Sequence, residues 1–88
     1  MCDFALPMSV AHFQILFGRR VRKLRLKKKF SQERLAELAG LHVNFISRLE
    51  RGQANASLAT MVKLAKALRC KPGELFRGSY WPKSSDGN

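Results

Sequence analysis

The segment from Gln32 to Arg51 constrains the fold of this chain more than any other feature. Its two halves, QERLAELA and HVNFISRLER, each place apolar residues at helical spacing, and Gly40 and Leu41 stand between them. Glycine reaches the positive φ that ends a helix without steric cost, so Gly40 predicts a tight turn. Ala36 is small where the two helices would cross. The segment therefore predicts two short helices packed against each other.

The two faces of the second predicted helix differ in polarity. Ile46 and Leu49 are three residues apart and are expected to face the core together with Leu41. The outward side is predicted to carry the other residues of this helix, namely Val43, Asn44, Ser47 and Arg48. We expect the helix to begin near His42 and to end before Gly52.

Serine residues mark where three of the predicted helices begin. Ser9, Ser31 and Ser57 each precede an apolar helical pattern, and a serine side chain there accepts a backbone hydrogen bond at the helix start. The apolar face predicted for the first helix consists of Val10, Phe13, Phe17, Val21 and Leu24. The face predicted for the fourth helix consists of Leu58, Met61, Val62, Leu64, Ala65 and Leu68. Pro72 is expected to open a short fifth helix.

No stretch of the sequence alternates convincingly between apolar and polar residues, so no strand is predicted. We expect an all-α fold of five helices in one domain over residues 9–77. Residues 1–8 and 78–88 lack helical periodicity, and we expect them to form a flexible arm and a flexible tail.

The charge of the chain points to a polyanionic partner. Its 17 Lys and Arg residues outnumber 6 Asp and Glu residues, which gives a formal charge of +11. Eight of these cations lie in or just after the first predicted helix, namely Arg19, Arg20, Arg22, Lys23, Arg25, Lys27, Lys28 and Lys29. Nucleic acid is the first candidate for a partner of such a chain.

Several other functions are disfavoured by the residues present. Cys2 and Cys70 form no metal-type pair, and His12 and His42 have no neighbouring carboxylate or cysteine in the sequence. Because no nucleophile, base and orienting group can be assembled, we expect no catalysis, cofactor, metal or small-molecule ligand. The uncharged stretch from Phe4 to Gly18 is too short and too polar to span a membrane, so a cytoplasmic location is expected.

Five blocks of the chain, in order, resemble a known family. These are FGRRVRKLR, SQERLAELAG, VNFISRLERG, SLATMVKLAKAL and KPGELF, spanning about residues 17–76. They are similar to the five-helix, lambda-repressor-like domains of phage repressors, Cro proteins and Xre-type regulators. The resemblance implies that residues 42–51 form a recognition helix in the major groove of double-stranded DNA.

The resemblance also assigns roles to individual residues. Base contacts are implied for Val43, Asn44, Ser47 and Arg48, and the chemistry suits them, since arginine pairs with guanine and asparagine with adenine. Contacts to the DNA backbone are implied for Lys28, Gln32, His42, Arg51, Gln53 and Asn55. An architectural, partly buried ion pair is implied between Arg25 and Glu50. Lys29 and Arg69 stand at helix ends where the family commonly has glycine, so each is expected to adopt a strained, left-handed backbone.

Family resemblance further implies a homodimer on a palindromic operator, acting as a repressor or an activator. The expected dimer interface comprises Leu75, Phe76, Tyr80 and Trp81. RNA polymerase is a further candidate partner. Among subtypes, NFISRLERG and ASLATMVKLAKAL are similar to restriction-modification controller proteins, while small phage regulators and antitoxin-type repressors remain open.

Two other classes of function remain as alternatives. A non-specific nucleoid or RNA-binding protein would use the basic surface between Arg19 and Lys29. A protein-interaction adaptor would use the aromatic residues of the tail, Tyr80 and Trp81.

Overall fold

The computed structural model describes residues 9–75. In this part of the chain the regular secondary structure is helical, and there is no strand. It contains four α-helices, α1 (Val10–Lys27), α2 (Gln32–Ala39), α3 (Val43–Glu50) and α4 (Leu58–Leu68), followed by a 3-10 helix, Pro72–Leu75. The all-α fold is confirmed, with the fifth helix present as a 3-10 turn. The expected arm and tail lie outside the described residues.

Each of the three predicted serine caps is confirmed. The side-chain oxygens of Ser9, Ser31 and Ser57 accept hydrogen bonds from the backbone N–H groups three residues later, at 3.1, 2.9 and 3.1 Å. Such a cap satisfies one of the four N–H groups that a helix start leaves without a partner, and it stabilises the helix by about 1 kcal/mol. The starts of α1, α2 and α4 are therefore determined locally.

A left-handed residue follows each of the four α-helices, namely Lys29, Gly40, Gly52 and Arg69. Gly40 has a φ of 69° and ends α2, which places Leu41 N–H 2.9 Å from the carbonyl oxygen of Ala36. Lys29 and Arg69 have φ values of 62° and 55°. Both positions were predicted to be strained, and a side chain in this region costs about 1 kcal/mol relative to glycine.

The core is assembled from all of the helices. Its buried apolar residues are Phe17, Val21, Leu35, Ala36, Ala39, Ile46, Leu49, Ala54, Leu64, Ala65, Ala67, Leu68 and Leu75. Helix α3 packs against both α1 and α2, while α4 packs against α2 and the 3-10 helix. This arrangement covers one side of α3 and leaves its other side exposed.

For four residues the expected burial is wrong. Val10, Leu58 and Val62 were expected to face the core, but their exposed fractions are 70%, 80% and 43%. Val10 and Leu58 are the first residues of α1 and α4. Conversely, Ala54 was not among the residues expected in the core, and it is buried although it lies in the loop between α3 and α4.

Helices α1 and α3 approach each other so closely at Gly18 that no side chain fits there. An added Cβ would overlap the carbonyl oxygen of Leu49 and would lie 3.0 Å from that of Glu50. Glycine within a helix lowers its intrinsic stability, so its presence at this position indicates close approach of another backbone. Gly18 therefore sets how near α1 lies to the end of α3.

We predict that Gly18→Ala lowers the free energy of unfolding by about 1–3 kcal/mol, because α1 and α3 must separate. This loss should outweigh the gain in helix propensity that alanine normally brings. Chemical denaturation would measure it, with Gly73→Ala as the matched control, since a Cβ at Gly73 meets nothing within 4 Å. Equal stabilities for the two variants would contradict the prediction.

Candidate nucleic-acid interface

The pair of helices α2 and α3 presents one side of α3 to solvent and anchors the other. Leu35, Ile46 and Leu49 are fully buried between these helices and the rest of the core. Ala36 and Ala39 are also buried, and their small side chains allow α3 to cross close to α2. The orientation of α3 is therefore set by apolar packing on its inner side.

The four predicted base-reading residues are not equally exposed. Asn44 and Arg48 are exposed and lie one helical turn apart on α3, so their side chains share a face. Val43 and Ser47 are half-buried, and Val43 packs against the core. The amide of Asn44 and the guanidinium of Arg48 thus project from the centre of the exposed face. The smaller side chains of Val43 and Ser47 lie at its edge.

Arg48 is restrained in the unbound protein. Its Nη2 atom donates a hydrogen bond to the carbonyl oxygen of Gln53 at 3.1 Å, which holds the guanidinium beside the end of α3. A guanidinium carries five N–H donors, so this single bond leaves others for a partner. The restraint reduces the side-chain entropy that binding would have to remove.

A buried ion pair joins α1 to the end of α3, as the family resemblance implied. Arg25 donates through Nε to Glu50 Oε2 at 2.6 Å and through Nη2 to Glu50 Oε1 at 3.0 Å. Its third nitrogen donates to the carbonyl oxygen of Phe30 at 2.7 Å, just before α2. Both residues are only 7% exposed. The bidentate geometry therefore ties three segments together at one point.

Gln32 belongs to the same network, which the sequence did not predict. It is the first residue of α2, and its Nε2 atom donates to Glu50 Oε1 at 3.0 Å. The side chain of Gln32, which was expected to contact a DNA phosphate, is thus turned toward the ion pair.

The other predicted backbone-contacting residues are all exposed, and four of them adjoin α3. His42 precedes α3, and its Nδ1 atom accepts a hydrogen bond from the backbone N–H of Asn44 at 3.3 Å. Arg51, Gln53 and Asn55 follow α3. Lys28 caps the end of α1 and lines a cavity with Leu68, Cys70 and Glu74 instead. Exposed polar groups therefore occupy both ends of the helix that carries Asn44 and Arg48.

The basic surface is smaller than the sequence suggested. Of the eight cations counted in and after α1, Arg25 is buried, and Arg20 is half-buried with its Nε atom 2.8 Å from the carbonyl oxygen of Glu74. The side chains of Arg20 and Glu74 also form an ion pair at 3.7 Å. The remaining six are exposed, namely Arg19, Arg22, Lys23, Lys27, Lys28 and Lys29.

The expected dimer interface needs correction at Leu75. This side chain is 0% exposed because the 3-10 helix packs it into the core against α1 and α4, so it cannot face a second chain. Phe76, Tyr80 and Trp81 lie outside the described residues. The first half of α4 does expose apolar side chains, which we call the α4 apolar patch: Leu58, Ala59 and Val62.

Cys70 is half-buried and packs against the core. Burial raises the pKa of the Cys70 thiol, and the negative charge of Glu74 acts in the same direction. The thiol is therefore a poor nucleophile at neutral pH.

Within residues 9–75 no three His, Cys, Asp or Glu side chains gather as a metal site would require. None of the described helices is long and apolar enough to cross a membrane.

Two contacts with the first turns of α1 were not predicted from the sequence. Gln14 donates a hydrogen bond from its side-chain amide to Asn55 Oδ1. Gly52 has a φ of 76°, and a Cβ added to it would lie 2.8 Å from the side chain of Ile15. The positive φ of Gly52 could have been anticipated from its place after a helix, whereas no local pattern links Gln14 to a residue 41 positions away.

Comparison with known proteins identifies related sequences and structures. The sequence model of the HTH_3 family, described as helix-turn-helix, matches residues 21–75. Control protein C.BamHI of Bacillus amyloliquefaciens is 45% identical over 66 residues, covering 74% of this chain and 82% of that protein. Control protein C.SmaI of Serratia marcescens is 43% identical over 61 residues, covering 69% and 73%.

A similar solved structure is that of the restriction-modification controller protein C.AhdI from Aeromonas hydrophila. It superposes with a TM-score of 0.71 and 49% sequence identity, and the match covers 72% of this chain and 96% of that one. Residues 10–20, the first part of α1, precede the segment that the family model matches.

We predict that Glu50→Ala lowers the free energy of unfolding by about 3–5 kcal/mol, because Arg25 is left charged and buried. The matched control is Glu37→Ala, which removes an exposed pair with Arg34 whose side chains are 70% and 53% exposed. That pair is screened by water, so its loss should change stability by less than about 1 kcal/mol. Urea denaturation of both variants would measure the difference. Similar losses would mean that the buried pair does not anchor α3.

Proposed function

The chain belongs to the HTH_3 helix-turn-helix family, and we propose that it reads a specific double-stranded DNA sequence with α3 in the major groove. Members of this family are DNA-binding transcriptional regulators and not enzymes, and the same holds for this chain. A regulator of this kind acts where the chromosomal or phage DNA is, so we expect it in the cytoplasm.

The observation that carries this proposal is the placement of Asn44 and Arg48. Both side chains project from the exposed side of a helix whose other side is anchored in the core. The major groove, about 12 Å wide, admits an α-helix, and there arginine can form two hydrogen bonds to guanine and asparagine two to adenine. Val43 at the edge of the same face is suited to the methyl group of thymine, and Ser47 can donate or accept.

Contacts to phosphates would set the position of α3 in the groove. The groups available for them are the first backbone N–H groups of α2 and the side chains of Lys28, His42, Arg51, Gln53 and Asn55. His42 lies at the start of α3, and Arg51, Gln53 and Asn55 follow its end, so they could hold the two DNA strands that border the groove. The charge of +11 adds a sequence-independent attraction.

We further propose that two copies bind a palindromic operator through the α4 apolar patch. Adjacent half-sites are about 34 Å apart, so a two-fold axis must pass about 17 Å from each recognition helix. Ser57, which caps α4, follows Glu50 by seven residues, so the patch starts at most about 24 Å from the end of α3. This length allows the patch to lie near that axis, and covering it would remove exposed Leu58 and Val62 from water.

The similarity to C.BamHI, C.SmaI and C.AhdI favours a role in controlling restriction-modification genes. Such a regulator would act as a repressor or an activator, and RNA polymerase is a candidate partner in the second case. Footprinting on the DNA upstream of its own gene would test whether the protein controls its own expression.

A non-specific nucleic-acid binder remains the alternative, and the six exposed cations in and just after α1 favour it. Competition binding at fixed salt separates the two functions. A specific regulator should prefer one short duplex over random DNA by at least about 1000-fold, whereas a non-specific binder would bind both alike.

We predict that Arg48→Ala weakens binding to the preferred duplex by about 1–3 kcal/mol and relaxes the preference at one base position. Titrations against duplexes with each base pair changed in turn would measure both effects. Lys28→Ala is the control, because loss of a phosphate contact should weaken binding to all duplexes alike. Unchanged base preference in Arg48→Ala would contradict its role in reading bases.

We predict that Leu58→Glu, alone or with Val62→Glu, shifts the protein from dimer to monomer. A glutamate in the first turn of α4 is favourable for the helix, so the monomer should remain folded. Sedimentation equilibrium would measure the change, with Val10→Glu as the matched control, since Val10 is also an exposed first residue of a helix. A dimer that persists in the double variant would place the interface elsewhere.

A further inference from the structure

We propose that Gln14 is a positioning residue that orients the side chain of Asn55 toward a DNA phosphate. This inference rests on the proposed function, since it requires that Asn55 contacts DNA. It assigns a role to a residue outside the expected interface. Gln14 lies on the first part of α1, ahead of residues 21–75 that match the family. Its Nε2 atom donates a hydrogen bond to Asn55 Oδ1, the side-chain oxygen of a residue in the α3–α4 loop.

The first turns of α1 lie along the end of α3 and the loop that follows. Gly18 meets the backbone at Leu49 and Glu50, and Ile15 meets Gly52. These contacts run in order along both segments, because α1 residues nearer the N-terminus touch residues further along the chain. Gln14 with Asn55 is the next contact in this series.

The backbone of the loop is held independently of Gln14. The N–H of Gln53 donates to the carbonyl oxygen of Arg48 at 2.8 Å, and Ala54 is buried in the core. Gln53 and Asn55, on either side of Ala54, are both exposed. The freedom left to Asn55 is therefore mainly the rotation of its side chain, and that rotation is what Gln14 restricts.

The direction of the hydrogen bond decides what Asn55 can offer to DNA. A side-chain amide has one oxygen that accepts and one NH₂ group that donates. Because the oxygen of Asn55 is bound by Gln14, its NH₂ group is directed to the remaining side. A phosphate oxygen only accepts hydrogen bonds, so this orientation presents the group that a phosphate requires.

A double-mutant cycle tests whether Gln14 acts through Asn55. The probe is the duplex that the wild-type protein enriches from a random-sequence pool, and the variants are Gln14→Leu, Asn55→Ala and their combination. Each single variant should lose about three- to tenfold in affinity, the range expected when a bound side chain is no longer ordered in advance. The double variant should bind no more weakly than Asn55→Ala.

A second variant reverses the hydrogen bond and keeps the side chain in place. In Gln14→Glu the carboxylate accepts from the NH₂ group of Asn55 and turns the oxygen of Asn55 outward. This variant should melt at the wild-type temperature and bind DNA more weakly than Gln14→Leu. His12→Leu and His12→Glu are the matched controls, since His12 is exposed on the same helix turn and receives the same change in charge. His12→Leu should leave affinity unchanged.

Methylphosphonate substitutions, made at one phosphate of the duplex at a time, show which phosphates contribute to affinity. A general loss of protein stability would not change which phosphate contributes. Substitution at one phosphate should weaken binding by the wild type and by both His12 variants, should weaken binding by Gln14→Leu less, and should leave binding by Asn55→Ala unchanged. If the wild type enriches no duplex, the proposed function and this inference both fail. If it binds selectively but Gln14→Leu loses no affinity, or the single losses multiply in the double variant, this inference alone is overturned.

Discussion

The buried ion pair between Arg25 and Glu50 is the interaction on which the rest of this structure depends. Removing two charges from water is costly, and the cost is offset only when the pair has good geometry and its remaining polar atoms are bound. Here Arg25 forms two hydrogen bonds to Glu50 and one to the carbonyl of Phe30, while Gln32 completes the partners of the carboxylate. A shift of α1, α2 or α3 against the others would leave a buried charge with fewer partners. The network thus specifies one relative position for the three helices.

Apolar packing and close backbone approach then determine what this position exposes. Ala36 and Ala39 bring α2 near α3, and Gly18 brings α1 near the end of α3. With its inner side covered from two directions, α3 can expose only the side that carries Asn44 and Arg48. Stability and the proposed DNA recognition are linked in this way, since the same contacts that bury Ile46 and Leu49 direct these two polar side chains outward.

Much of this architecture could be predicted from local sequence. The three serine caps and the turn at Gly40 depend on one or two neighbouring positions, and all are found as expected. The left-handed residues Lys29 and Arg69 are also found as expected, but that expectation came from the family resemblance. Burial was less predictable at the ends of helices. Helical spacing shows which residues share a face, but it does not show where a neighbouring helix stops covering that face. Leu58 is exposed at the first position of α4, and Val62 in the middle of the same helix is exposed as well, whereas Leu75 is buried because the 3-10 helix packs it into the core.

The sequence by itself determined the all-helical fold, the helix-turn-helix segment and the four residues expected to read bases, because these follow from short-range periodicity, turn chemistry and recognisable motifs. The resemblance to a family also supplied the pairing of Arg25 with Glu50. Only the tertiary structure decided that Asn44 and Arg48 stand out further than Val43 and Ser47, that Gln32 joins the ion pair, and that Gln14 reaches Asn55. These features depend on contacts between residues far apart in the chain, whose positions are set by the packing of whole helices.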